Sequence, residues 1–235
     1  LLVSPHAVMA QSSAAAASSQ AVLLLRPHCE TATAPADTET APTFADFLQT
    51  GLGSCANFSA RDPQTLQTQT LKVGETLDMD LVVYNPGKVP VSKVRAWISY
   101  DPQTLQGDSI ELKQLSIPTP GESTFSEGEG FLKLSATAEA ASQPRSWLVT
   151  VARIQFKVVH APRAGLTPVG FYDVQVGKEG HTYVLSTAEK GIGQTNLGSL
   201  LVFVTEGSSS SPAALPVASS SSSVPDAVFP VASSS

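Results

Sequence analysis

Strict alternation of apolar and polar side chains through the middle of the chain limits its fold more than any other feature. Leu77, Met79, Leu81 and Val83 fall on one side of an extended backbone, with Asp78 and Asp80 on the other. Successive strand residues point to opposite faces, so this pattern predicts a strand with one face in a core and one toward water. Asn85-Pro86-Gly87-Lys88 then offers a tight turn, and Val94, Ala96, Ile98 and Tyr100 alternate again up to Asp101-Pro102. Further strands are expected at 130–136, 147–159, 167–176, 181–186 and 197–204, separated by Gly, Pro, Asn and Ser. A helical period is absent from this region, and one short helix is expected at 44–48. Many short strands with turns between them make an all-β sandwich or barrel.

The 235 residues divide unevenly. Ala, Ser, Thr and Pro dominate residues 1–42, and Ser, Pro, Ala and Val make up most of 206–235. Neither end is expected to bury enough apolar surface to offset chain entropy. The folded part is accordingly placed at 59–205, enough for one core. Within the tail, 216–221 and 230–235 both read PVASSS, a low-complexity repeat expected to act as a linker. Residues 1–10 (LLVSPHAVMA) resemble the end of a signal peptide with Val8 and Ala10 before the cut. Export to the outside or the cell surface is the expectation that follows. No apolar run approaches the ~18 residues of a membrane helix.

Between these parts, 11–58 is an Ala/Ser/Thr/Pro-rich segment holding a candidate disulfide. Cys29 and Cys55 are the two cysteines of the chain. In an exported protein they are a candidate bridge, worth about 3 kcal/mol for a loop of this size; two free thiols are the alternative. Their spacing fits no zinc or redox motif.

Fourteen basic and twenty acidic side chains give a net charge of −6, with no run of Lys or Arg. Nucleic acid and anionic membranes are therefore poor partners. His6, His28, His160 and His181 are scattered and form no HxxxH pair, and nucleophile elbows and phosphate loops are absent, so no cofactor, metal or catalysis is expected. Glu122, Glu127 and Glu129 lie in a Gly-rich loop whose spacing matches no established calcium loop, and a solvated hairpin loop is the simpler reading.

Three blocks carry a family resemblance. Lys72-Val73-Gly74-Glu75-Thr76 is followed by 94–102 (VRAWISYDP) with Leu105, and then by 151–159 (VARIQFKVV) with Ala164-Gly165. Their order and spacing resemble the cohesin domain, with its "VGDT" opening, its strand closing in "YDP..L" and its "FKV" strand and turn. The resemblance covers about 66–205. It implies a nine-stranded, jelly-roll-like antiparallel sandwich related to carbohydrate-binding modules. It also implies structural roles for Tyr100 facing the core, Asp101 and Pro102 in the turn, and Leu105 plugging the sandwich end.

Cohesins attach proteins to scaffolds or surfaces by binding dockerin modules. In many of them an Asn-x-Asp pair on the strand before "YDP" faces the dockerin, and the matching positions here are Lys93 and Arg95. Two cations in place of two acceptors suit a partner with an acidic surface; two solvated side chains are the alternative. By parity Trp97 shares their face, where it resembles an interface anchor, the alternative being that it packs under a loop. Trp147 is the other tryptophan weighed for sugar stacking. A protein-binding module leads these expectations. A carbohydrate-binding module with a polysaccharide partner is the second reading, and a structural adhesin or surface-layer domain without a discrete ligand is the third.

Overall fold

The computed structural model describes residues 21–28, 40–49, 58–62, 65–68, 70–172, 182–187, 190–194 and 200–207. Cys29, Cys55, His6, His181, the leader-like 1–10 and the PVASSS repeats lie outside these residues.

In chain order the strands are β1 (Ala21–Pro27), β2 (Phe58–Asp62), β3 (Thr65–Thr68), β4 (Leu71–Lys72), β5 (Thr76–Tyr84), β6 (Val91–Ser99), β7 (Leu105–Leu112) and β8 (Ile117–Pro118). There follow β9 (Thr124–Ser126), β10 (Phe131–Thr137), β11 (Leu148–Val158), β12 (Leu166–Phe171), β13 (Tyr183–Ser186), β14 (Gly193–Gln194) and β15 (Leu200–Thr205). One helix, α1 (Phe44–Gln49), stands where the sequence predicts a short one.

The expected sandwich is the architecture found. A smaller sheet runs β14-β1-β5-β11-β7, and a larger one runs β2-β3-β15-β12-β6-β10-β8, with β13 also on β6, β4 on β15 and β9 on β10. The count of nine is not met, because the described residues form fifteen strand segments, several of them two to four residues long. Nor is the pairing wholly antiparallel, since β1–β14, β15–β3 and β15–β4 run parallel.

The alternation read from the sequence sorts the side chains as expected. Leu77, Met79, Leu81 and Val83 of β5 face Val94, Ala96 and Ile98 of β6 and Leu132 and Leu134 of β10 across one buried core. On β11, a bulge between Thr150 and Ala152 resets the register, so that Ile154 and Phe156 point inward while Arg153 and Gln155 point out beside Asp80 and Asp78.

One strand corrects the sequence reading. Ala21–Pro27 falls in the segment expected to stay out of the core, yet it pairs with β5 in a six-residue antiparallel register and buries Leu23, Leu24 and Leu25. Leu23, Leu24 and Leu25 are apolar on both faces because both are buried, and α1 packs on the outer face of the smaller sheet at Tyr84. Phe47 stacks on Tyr84 at 5.0 Å and meets Trp147 edge-on at 5.9 Å, while Phe44 lies 5.2 Å from Tyr84. Thr43 starts the helix by accepting the Asp46 N–H at 3.1 Å and donating its hydroxyl to the Asp46 carboxylate. Trp147 is therefore a core residue, 7% exposed, and offers no sugar platform.

A polar row crosses the same outer face. Arg26 and Asp80 are both buried and pair at 3.3 Å, and His28 Nδ1 lies 2.8 Å from the other Asp80 oxygen. Arg153 grips Asp78 through Nε at 2.9 Å and through Nη2. No helix among the described residues is long and apolar enough to cross a membrane.

Candidate binding face

The turn after β6 sets the pitch of the candidate site. Tyr100 is buried, its ring edge-on to Phe156 at 4.8 Å, and its N–H bonds the Gly130 carbonyl at 2.9 Å. Gly130 is in the left-handed region (φ +68), and a Cβ there would sit 2.4 Å from the Tyr100 carbonyl, so only glycine fits. Asp101 caps its own turn. It accepts the Gln103 N–H at 2.9 Å and the Thr104 hydroxyl at 2.7 Å, and its carbonyl takes the Leu105 N–H at 2.9 Å. Pro102 packs its ring beside Gly130, and Leu105 is fully buried.

Burial pushes the Tyr100 phenol up to about 12, and the Glu127 charge beside it adds to the shift. A raised phenol stabilises the fold fully below the unfolded value of about 10, and that stability is lost as pH rises through the folded value. Absorbance titration is expected to find one tyrosine ionising near pH 12, and Tyr100→Phe should remove that late step.

From this turn β6 runs back through the middle of the larger sheet, between β10 and β12/β13. Its outward residues are Lys93, Arg95, Trp97 and Ser99, all half-buried. Register brings others beside them: Phe131 lies opposite Ser99, Lys133 opposite Trp97, Ser135 and Tyr183 opposite Arg95, and Thr137 opposite Lys93. Trp97 is bound at its backbone, donating its N–H to Thr182 at 3.1 Å while its carbonyl accepts the Tyr172 N–H at 2.8 Å. Its indole lies 6.2 Å from the Tyr172 ring at 22°, and Phe131 closes on Tyr172 at 5.2 Å. Tyr172 is 45% exposed, which makes it the outer tip of this aromatic cluster.

Three cations lie over rings on this face. Lys133 Nζ sits 4.7 Å above the Trp97 ring, the Arg95 guanidinium is 5.7 Å from the same ring, and Lys93 Nζ is 5.7 Å from Tyr183. Arg95 also pairs with Glu122 at 2.5 Å, whereas Lys93 and Lys133 have no carboxylate partner among the described residues. Among the described residues this face therefore carries excess positive charge, on a chain whose net charge is −6.

The structure brings Lys93, Arg95 and Trp97 together as parity predicts, but Arg95 is tied to an internal carboxylate rather than solvated. Phe131, Lys133 and Tyr172 are added to the site by strand pairing, which parity alone does not supply. The three loop glutamates diverge: Glu122 turns to Arg95, Glu127 reaches the Gly107 N–H at 3.4 Å, and Glu129 is exposed. No group of three or more metal-ligating side chains exists among the described residues.

A β-sandwich with an aromatic and cationic sheet face is the kind of scaffold that binding modules use. The cohesin domain family matches residues 64–192, more than half of the chain, and the protein belongs to that family, whose domains are non-catalytic protein-binding modules. Solved structures similar to it include the seventh ScaB type I cohesin of Pseudobacteroides cellulosolvens, with 14% identity, 61% of this chain and 92% of that one covered, and a TM-score of 0.47. Another is the third ScaC cohesin of Acetivibrio cellulolyticus in complex with the ScaB dockerin, at 18% identity, 60% and 96% coverage and a TM-score of 0.47. A cohesin module from a Clostridium perfringens family 33 glycoside hydrolase is similar at 12% identity, 64% and 97% coverage and a TM-score of 0.44. A comparison with curated proteins gives no match.

Proposed function

We propose that the protein is an extracellular or cell-surface adaptor. In this reading it binds a dockerin-type protein module of acidic surface on the outer face of the larger sheet. The observation that carries the reading is the aromatic cluster of Trp97, Tyr172 and Phe131, with Lys133 over Trp97 and Lys93 over Tyr183 on the same sheet face. Binding energy at protein interfaces concentrates in a few Trp, Tyr and Arg residues near the centre of the patch. Lysines on the same face, without a carboxylate partner among the described residues, steer an acidic partner and penalise a basic one. The leader-like 1–10 and the Ser/Pro repeats of the tail agree with an exported chain carrying its module on a linker.

A glycan reading needs an aromatic face open to a sugar ring. Here Lys133 lies over Trp97, and Phe131 stands at 70° to Tyr172 instead of extending a flat row. These arrangements favour the protein-binding reading over the carbohydrate one.

Isothermal titration of the full chain against a panel of dockerin modules tests the proposal. At least one module is expected to bind, and Trp97→Ala is expected to weaken it by about 30-fold or more, which is about 2 kcal/mol. Lys133→Glu should act mainly on the association rate and its salt dependence. Binding that survives Trp97→Ala intact would remove this face from the account.

A further inference from the structure

We propose that Glu122 is a built-in stand-in for a partner's carboxylate, a latch that keeps Arg95 occupied until an acidic side chain replaces it. This inference rests on the reading of the face as a docking surface. Arg95 occupies the middle of that face, one strand position pair from Trp97, and its Nη2 donates to Glu122 Oε1 at 2.5 Å. Both side chains are partly open to solvent, at 26% and 17%. An incoming carboxylate therefore has access to the pair.

The Glu122 carboxylate is engaged through one oxygen. Glu122 Oε2 is buried with no hydrogen-bond partner among the described residues, and so is the hydroxyl of Ser123 next to it. A carboxylate with one oxygen undersupplied is poorly compensated for leaving water. Ser123 also takes a left-handed backbone (φ +81) that non-glycine residues rarely adopt. The turn itself is anchored, since Glu122 N–H bonds the Thr119 carbonyl at 3.1 Å and Ser123 N–H bonds the Lys133 carbonyl at 2.6 Å. Breaking the Arg95–Glu122 pair thus requires rotation of the Glu122 side chain, with the backbone in place. A partner able to give the guanidinium a two-oxygen contact would form the better pair. Glu122 accordingly selects for partners with a carboxylate that reaches Arg95, and weakens partners that engage only Lys93 and Lys133.

The test uses the full chain and a blocked hexaglutamate peptide as the carboxylate probe, followed by NMR at low ionic strength. Glu122→Gln is expected to bind the peptide about fivefold tighter than the parent. The Arg95 Nε–H signal should move on titration of the variant, and Arg95→Met in the same background should remove the gain. Glu129→Gln, which deletes an equal charge from an exposed site nearby, should give a smaller gain. Glu122→Ala serves as a second variant, and melting curves of both report whether the turn stays folded. Equal gains from Glu122→Gln and Glu129→Gln, or a gain that persists without Arg95, would overturn the latch. Binding of a dockerin module with no gain from Glu122→Gln would overturn the latch alone. A gain with no dockerin bound would keep the latch and discard the partner class.

Discussion

Asp80→Ala is expected to cost about 3–5 kcal/mol of stability, measured by chemical denaturation, although Asp80 lies far from the proposed binding face. Arg26 is 3% exposed, and among the described residues Asp80 is its carboxylate partner. Burial lowers the Arg26 pKa, and Asp80 opposes that shift through its charge and its hydrogen bond. Guanidinium Nε and Nη1 find no hydrogen-bond partner among the described residues, so Asp80 supplies most of what the charge receives. Deleting it leaves a buried cation uncompensated and His28 without its 2.8 Å contact. Removing both charges should behave differently. Arg26→Met with Asp80→Leu takes away the desolvation cost together with the attraction and is expected to recover most of the loss. A single-mutant cost under about 1 kcal/mol would mean that the pair is better hydrated than its burial implies.

Phe47→Ala is the second large effect, expected at about 3–5 kcal/mol. Its ring is fully buried although it belongs to a six-residue helix outside the matched residues 64–192. Truncation opens a cavity between Tyr84 and Trp147, both on the smaller sheet or at its end. The Tyr84 hydroxyl, which donates to the Pro42 carbonyl at 2.6 Å, would lose the segment that holds it. Near-UV circular dichroism should register the change at Trp147, while the affinity of any dockerin-type partner stays the same. Thr43→Ala, which removes only the helix cap, should cost about 1 kcal/mol. A Phe47→Ala effect no larger than that would show α1 to be a loosely attached strap.

These two effects lie where the sequence was hardest to read. β5 and β6 were legible because each has one wet face, which makes period two visible. β1 was not. Leu23, Leu24 and Leu25 form a run without alternation, since both faces of the strand are buried, and the surrounding Ala and Ser disguise it. β7 was hidden for the opposite reason: Gly107, Asp108 and Ser109 break the apolar pattern of a strand that borders the sheet. The "YDP" turn was readable because the bonds Asp101 makes are local, within four residues of it.

The candidate face was legible by halves. Parity on one strand places Lys93, Arg95 and Trp97 side by side, and parity on another places Phe131 and Lys133 outward. What no single strand reveals is that Lys133 lies opposite Trp97, because register between distant strands depends on the whole sheet. The Arg95–Glu122 pair spans 27 positions and joins a strand to a turn, which no periodicity encodes. Tyr172 closes the cluster from the residue just past β12, inside the strand expected at 167–176, but its place beside Trp97 follows from pairing between distant strands.

The most direct measurement maps where a partner sits. Isotope-labelled full-length chain would be titrated with the tightest dockerin module of the panel, and amide and side-chain shifts followed by NMR. The account expects the largest changes at Lys93, Arg95, Trp97, Lys133 and Tyr172, including the Trp97 indole N–H, with the smaller sheet silent. Changes centred instead on Arg26, His28, Asp78 and Arg153, or none with any module tried, would contradict it.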